Sequence, residues 1–353
     1  MYPNGSTVST LRRTETYRTR VVRTVEDLAP ETTELAAAAG ASEFYYGHEF
    51  LRAYEREPIQ PVHAVYYIEV LDEDDRVIAL TPCYVQGDPL RALGMGPDEK
   101  ALLSHVWHCS DTQLASTRTD SRVAGAIVAR MREIAASAGL ARCGFINVAT
   151  GSPSALALEG AGLTGTDLDT RYTVDLAAAG SWEGYLSTLR YNARREYARQ
   201  LRRADDCGVK VTERVPDGEE DPQSLQIFEV LMANVGSAGY YSKERIAAFL
   251  RYTRKGARII EVTMDGEIIA KAVVFLETKK IHAWAGGYDR NADVASGRPF
   301  SSYYVLMSAI IKLGLRAGVP TLEGGRRNGE FKVRYGMRPQ PLKAYMTDVR
   351  HGE

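Results

Sequence analysis

Residues 259–276 read IIEVTMDGEIIAKAVVFL, and residues 67–85 read YIEVLDEDDRVIALTPCYV. Each is an apolar strand, a tight acidic turn and a second alternating strand, which together predict a β-hairpin. The shared IEV…I-A frame puts both turns in matching places. The elements after each hairpin also agree in order. After the first hairpin, Val123, Ile127, Val128, Met131, Ile134 and Ala135 recur at helical spacing and stop at Ala138-Gly139. A strand over 143–148, a short helix from Ser152-Pro153 to about Gly160, and a strand over 171–176 complete the half. After the second hairpin, Tyr304, Met307, Ile310, Ile311 and Leu315 share a helix face that stops at Ala317-Gly318. A strand (PTLEGG), a short helical turn (NGEFKVRYG) and a strand (PLKAYMTDV) come next.

Alternation of this kind is common to α/β proteins. The matching SAGL and RAGV helix ends and the matching spacing favour an internal duplication. The chain therefore reads as two tandem α/β units, each a mixed twisted sheet flanked by helices. The boundaries are a polar tail over 1–20, a first unit over 21–180 and a second over 181–353.

Composition sets limits. With 44 Lys+Arg against 45 Asp+Glu, the chain is nearly neutral, unlike a general nucleic-acid binder. No window approaches the uninterrupted apolar run of a membrane span, and no apolar core comes after the basic N-terminal residues, so neither membrane insertion nor a secretory signal is expected. The cysteines, Cys83, Cys109, Cys143 and Cys207, form no C-x-x-C pair and no metal-ligand spacing. A cytoplasmic protein with reduced thiols and no metal is the simplest expectation.

One segment breaks the neutrality. LRYNARREYARQLRRADDCGV, 189–209, places six arginines between Arg190 and Arg203. Trp182, Tyr185, Leu186, Leu189, Ala193, Tyr197 and Leu201 step by three or four residues, predicting one helix over 181–208 that buries this stripe and stops at Gly208. Glu196 and Arg199 form a local pair. Arg194, Arg195, Arg202 and Arg203 have no obvious neighbour of opposite charge. Such a face either is solvated or meets an anionic partner such as RNA phosphates.

This arrangement resembles the Fem-type twin-GNAT proteins, which include aminoacyl-tRNA-dependent transferases. The resemblance covers roughly 40–348. It rests on the basic helix closing on Ala-x-x-x-Gly-Val, on the hairpin VTMDGEIIAKAVVF with its G-x-x-x-A, and on EGGRRNGEFKVRYGMRPQP, similar to the family's closing G-x-x-x-x-x-x-x-K-x-x-x-G-F-x-P. It implies tandem GNAT-like domains. It also implies an acyl transfer by direct attack of an amine or hydroxyl on an ester, with aminoacyl-tRNA as co-substrate and no bound cofactor. Acetyl-CoA-dependent GNAT proteins hold the pyrophosphate on a Q/R-x-x-G-x-G/A loop at the start of the central helix. Here the equivalent stretches, DVASGRPFSSYYVL and RVAGAIV, lack that motif. The wall-precursor enzymes of the family often carry a long coiled-coil arm, and the segment 181–208 is one helix long. That departure points to a small soluble acceptor, such as a natural-product intermediate, rather than a peptidoglycan precursor.

The chemistry is expected in the second unit. Lys332 and Arg334 suit a phosphate or a carbonyl gathering charge, and Lys332 matches the family's substrate-contacting lysine. Glu323 ends a strand before Gly324-Gly325 and is a general-base candidate. HAWAGGYDR, 282–290, interrupts a strand with Gly286-Gly287, as at a close ligand approach. Tyr288 and Asp289 there are placed to orient an amine or relay its proton, and Trp284 to wall the pocket. Tyr304 opens the central helix, with Ser301 as its cap. In the first unit SHVWHCSD, 104–111, offers His105 and Trp107 as an acceptor lining, or else simply a buried strand end. Arg194, Arg195, Arg199, Arg202 and Arg203, helped by Arg326 and Arg327, are the tRNA-binding candidates. An acyl-CoA-dependent N-acyltransferase, and a non-catalytic tRNA- or wall-binding protein, are the competing readings.

Overall fold

In a computed structural model, residues 17–118, 120–234 and 237–349 are described. Among these residues, thirteen strands form a single sheet. They are β1 (Arg18–Val22), β2 (Val62–Leu71), β3 (Val77–Gln86), β4 (Ala101–Ser104), β5 (Ala115–Ser116), β6 (Arg142–Ala149), β7 (Gly165–Asp175), β8 (Lys210–Arg214), β9 (Ala257–Met264), β10 (Glu267–Leu276), β11 (Lys280–Tyr288), β12 (Thr321–Glu323) and β13 (Arg338–Asp348). Both predicted hairpins are present, as β2–β3 and β9–β10. The second turns through Asp265 (φ +53°) and Gly266 (φ +85°), the two left-handed residues that a type I′ hairpin turn requires. The polar tail lies outside the described residues as far as 16, and β1 begins at Arg18, inside the span assigned to it.

The sheet order is β1-β2-β3-β4-β6-β13-β7-β12-β11-β10-β9-β8, with β5 on β3. Read from either end, it is the same unit: three antiparallel steps, a parallel pair (β4–β6 or β11–β12), then an antiparallel last strand. The last strands are exchanged. β13, from the end of the chain, closes on β6 of the first unit, and β7, from the first unit, closes on β12 of the second. β7 and β13 then pair with each other along most of their lengths, joining the halves. The boundary expected at 180 therefore divides the sequence but not the sheet.

Helices match the periodicities. Ser121–Ser137 buries Val123, Ile127, Val128, Met131, Ile134 and Ala135, and Ser302–Ala317 buries a nearly continuous apolar face. The arginine-rich segment differs from expectation. It is two helices, Trp182–Thr188 and Tyr191–Asp206, with Leu189 and Arg190 extended between them. Ser187 and Thr188 donate their hydroxyls back to Gly184 O and Tyr185 O, which weakens helix continuation. The break also seats Leu189 against Gly336, where a Cβ would stand 2.7 Å from the leucine side chain. Tyr185 fixes the first helix by donating to Tyr335 O at 2.6 Å.

Candidate functional site

The parallel pair β11–β12 lasts three residues, from Lys280↔Thr321 to His282↔Glu323. β11 then runs on to Tyr288, while the chain after Glu323 turns away through Gly324 and Gly325, the latter at φ +76°. The strands part, and among the described residues the edge of β11 beyond His282 has no strand partner on that side. A cavity of about 320 Å³ fills the wedge, at the small end of what ligand sites span. Its walls come from β11 (Trp284, Gly286, Gly287, Tyr288), the central helix (Tyr303, Met307, Ile310), the segment after β12 (Arg326, Arg327, Lys332) and the first unit (Tyr45, His108, Ser110). Helix Gln226–Asn234 closes over it, with Leu231 pressed so tightly on Gly287 that a Cβ there would lie 2.4 Å from the leucine.

The equivalent wedge in the first unit is shut. β4 leaves β6 after Ser104↔Phe145, and the chain rejoins it at the Thr112↔Val148 bridge. The excursion, HVWHCSD, packs into the gap. His105 is fully buried, its Nε2 donating to Tyr45 O at 3.0 Å, and burial pulls its pKa down to about 3. Trp107 donates Nε1–H to Gly87 O at 2.8 Å. Neither lines the cavity, so the acceptor-lining expectation for this pair moves to their neighbour His108, whose Nδ1 meets Tyr54 Oη at 2.5 Å. Burial, reinforced by Arg326, lowers His108 to about 3 and keeps it neutral. Asn147, at φ +58°, donates Nδ2–H to Cys109 O at 2.7 Å and finishes the plug.

Arg326 ties the closed wedge to the open one. Its guanidinium donates to Asn147 Oδ1 (3.1 Å), Trp107 O (2.8 Å) and Tyr240 Oη (2.9 Å), and lies 3.8 Å from Asp169. It is an internal strut, not part of an RNA-facing surface, and only Arg327 beside it is exposed, at the cavity mouth.

Glu323 sits where the strands part, 2 % exposed. Burial would raise its pKa, but the His282 imidazolium, Arg171 and the Ser110 hydroxyl (2.6 Å) outweigh this and hold it at about 2. Gly325 N–H donates to its other oxygen at 2.9 Å. Burial would lower His282, but Glu277 (2.8 Å) and Glu323 (3.6 Å) push it up to about 9. Lys332 is 3 % exposed and lines the same cavity. Its Nζ lies over the Tyr172 ring, 5.4 Å from the centroid, and makes no hydrogen bond or ion pair among the described residues. Burial pulls its pKa down to about 7, against the opposing pull of Glu323 and Asp169.

The fold thus brings Trp284, Tyr288, Glu323, Lys332, Arg326 and Arg327 to one cavity. Other expected residues stand apart. Asp289 caps the helix Arg290–Ala295, accepting from Asn291 N and Ala292 N, so its carboxylate is spent on the backbone. Tyr304 bonds Tyr335 Oη and packs on Phe331 behind the cavity, leaving Tyr303 to face it. Arg334 lines a separate open groove beside Tyr191 and Glu196. Ser301 makes no side-chain cap. The N-terminus of the central helix is instead held by Asp293, which accepts from Ser302 N (3.0 Å) and Ser302 Oγ (2.7 Å) and pairs with Arg298. In the first unit Asp120 does the same for Arg122 N and Val123 N. Along the arginine helix, Arg199 pairs with Glu196 and Arg203 donates to Pro299 O. Arg194, Arg195 and Arg202 are exposed, with no partner among the described residues.

Residues 191–333 match the family model described as an acetyltransferase (GNAT) domain, from the first residue of the arginine helix to just beyond Lys332. Solved structures resemble the chain over nearly its whole length. FemX aligns at TM-score 0.60 and 10% identity, covering 91% of this chain and 97% of its own. A tandem GNAT protein from the clavulanic acid biosynthesis pathway aligns at 0.55 and 14%, covering 95% and 100%. The fold is a tandem GNAT fold. A third such likeness is the L-PGS structure from Bacillus licheniformis, at 0.53 and 15%, covering 92% and 93%. No curated protein matches the sequence. The open wedge lies in the second of the two units, and the shut one is its counterpart in the first. Among the described residues no helix is long and apolar enough to cross a membrane, and no group of His, Cys, Asp and Glu is arranged to hold a metal ion.

Proposed function

We propose that the chain is an acyltransferase with one reaction site, the wedge of its second GNAT unit, and that the acyl group arrives as an aminoacyl ester on tRNA. The observation that carries the choice of donor is Asp293. A coenzyme A pyrophosphate would need the free N–H groups at the start of the central helix. There the Asp293 carboxylate already accepts from Ser302, and Asp120 occupies the matching helix in the first unit. An aminoacyl ester needs no such site. It is already reactive, so orientation and stabilisation of the developing oxyanion supply most of the acceleration. The edge of β11 beyond His282, without a strand partner among the described residues, runs along the cavity where that oxyanion would form. Glu323 gives the cavity a negative pole for an amine, and Lys332 a positive one. The names FemX and L-PGS among the similar structures support aminoacyl chemistry, and Arg194, Arg195 and Arg202 are exposed cations of the arginine helix available to RNA phosphates.

The test is transfer of a radiolabelled amino acid from charged tRNA to a panel of amine and hydroxyl acceptors, with and without RNase. Product that RNase abolishes is the expected result. Product that survives RNase and requires acetyl-CoA or another acyl-CoA assigns the wedge to the coenzyme instead.

A further inference from the structure

We propose that the wedge takes its acceptor as a zwitterion, an α-amino acid or close analogue, with the ammonium on Glu323 and the carboxylate on Lys332. The inference rests on the reading of this cavity as the transfer site and adds the class of acceptor.

The cavity holds one buried cation and one buried anion that do not satisfy each other. Glu323 and Lys332 are 2 % and 3 % exposed, and no ion pair within 4.0 Å joins them among the described residues. Removing both charges from water is costly unless each finds an opposite charge in good geometry. Glu323 is held as an anion by His282, Arg171, Ser110 and Gly325 N–H, and a carboxylate still has acceptor sites left after those bonds. Lys332 has three donors and no acceptor among the described residues. The groups facing it are Glu323 on β12, Asp169 and Tyr172 on β7, and Arg326 on the loop after β12. Arg326 is the poorer partner for the ligand's carboxylate, because three of its five donors go to Asn147 Oδ1, Trp107 O and Tyr240 Oη and its Nε lies 3.8 Å from the Asp169 carboxylate. A simple amine would meet Glu323 and leave Lys332 without a counter-charge, and a simple acid would meet Lys332 and leave the remaining acceptor sites of Glu323 unused. A zwitterion answers both. Met307, Ile310 and Trp284 line the rest of the space for an apolar side chain.

The chemistry balances. The acceptor nitrogen, having released one proton to solvent, forms a C–N bond to the ester carbonyl carbon. The C–O bond to the ribose breaks, and the departing oxygen takes the second proton from the nitrogen. The products are an amide and a free hydroxyl.

The experiment measures binding to the full chain by thermal shift and calorimetry. The probes are L-leucine, L-methionine and L-phenylalanine, each with its decarboxylated amine and its deaminated acid. At least one amino acid is expected to bind at least tenfold more tightly than both its matched analogues. Lys332→Met erases the preference over the amine, and Glu323→Gln erases the preference over the acid. Because Lys332 must be charged, affinity weakens by up to tenfold per pH unit above about 7, and Lys332→Arg removes that dependence. If no amino acid binds, or the amine binds as well as its amino acid, the proposal is overturned. Zwitterion binding without RNA-dependent product sinks the tRNA reading alone. RNA-dependent product on a plain amine that binds equally well sinks the zwitterion alone.

Discussion

Lys332 shows how one side chain sets stability against function. Its ordinary pKa of 10.5 falls to about 7 on burial. Below pH 7 the folded chain carries a desolvated ammonium that the unfolded chain carries in water. The penalty is therefore complete below 7 and vanishes as pH rises toward 10.5. His282 has the opposite sign. Held at about 9 by Glu277 and Glu323, it contributes stability that is full below 6.5 and is lost as pH rises through 9. The two slopes oppose each other in the wild type. Lys332→Met should raise Tm most at pH 6, by roughly 1–2 °C for each kcal/mol relieved, while abolishing activity. In that variant Tm should then decline between pH 6.5 and 9 more steeply than in the parent. A pH series of calorimetric scans checks this, and an unchanged slope would remove His282 from the account. Glu323 was legible in the sequence as a carboxylate at a strand end before two glycines, and Lys332 through its family resemblance. Segment 104–111 was legible as an acceptor lining, though through His105 and Trp107 rather than His108 and Ser110, and Tyr240 and His282 were not legible as site neighbours, because nothing local says which side chains from distant segments will meet.

At the scale of elements, caps were the least legible. Ser301 stands where a capping serine is expected, yet the bond comes from Asp293 eight residues earlier. A short side chain caps only if its backbone geometry aims it inward, and here the loop brings a carboxylate first. Asp293→Ala should cost about 1–2 kcal/mol in denaturant unfolding, whereas Ser301→Ala should cost close to nothing. Equal losses would contradict the assignment. The arginine helix carries its own prediction. Reversing Arg194, Arg195 and Arg202 to Glu should leave Tm nearly unchanged, because they touch no described partner. It should weaken tRNA binding and reduce the slope of log K against log salt by about 2–3. Arg199 and Arg203 are poorer choices, being tied to Glu196 and Pro299. The stripe Ala193–Tyr197 predicted the buried face correctly. The break at Leu189–Arg190 escaped periodicity because it serves a contact with Gly336, far along the chain.

Across the whole molecule, the exchange of β7 and β13 makes each half incomplete without the other. A fragment of residues 1–180 lacks the strand that covers β6 and leaves β7 without either partner. It should be unfolded or aggregated by circular dichroism and gel filtration, while the full chain melts in a single transition. A soluble, cooperatively folded fragment would refute this. The closed first wedge also predicts one binding equivalent of acyl-donor analogue per chain. Loss of the strut through Arg326→Ala should raise KM for the acceptor as well as lower kcat, since it anchors the segment that leads from β12 into the helix Gly329–Arg334, which carries Lys332.

The amino-acid sequence determined the duplicated order of strands and helices, both hairpin turns, the buried face of each long helix and the basic face beside Tyr197. Those features arise from spacing and turn chemistry within a few residues. The tertiary structure alone decided which wedge is open, which carboxylates occupy the helix N-termini, that Arg326 faces inward and that the last strands trade places. Each of these depends on pairing between residues far apart in the chain, where the choice among partners is made by packing and desolvation rather than by local pattern.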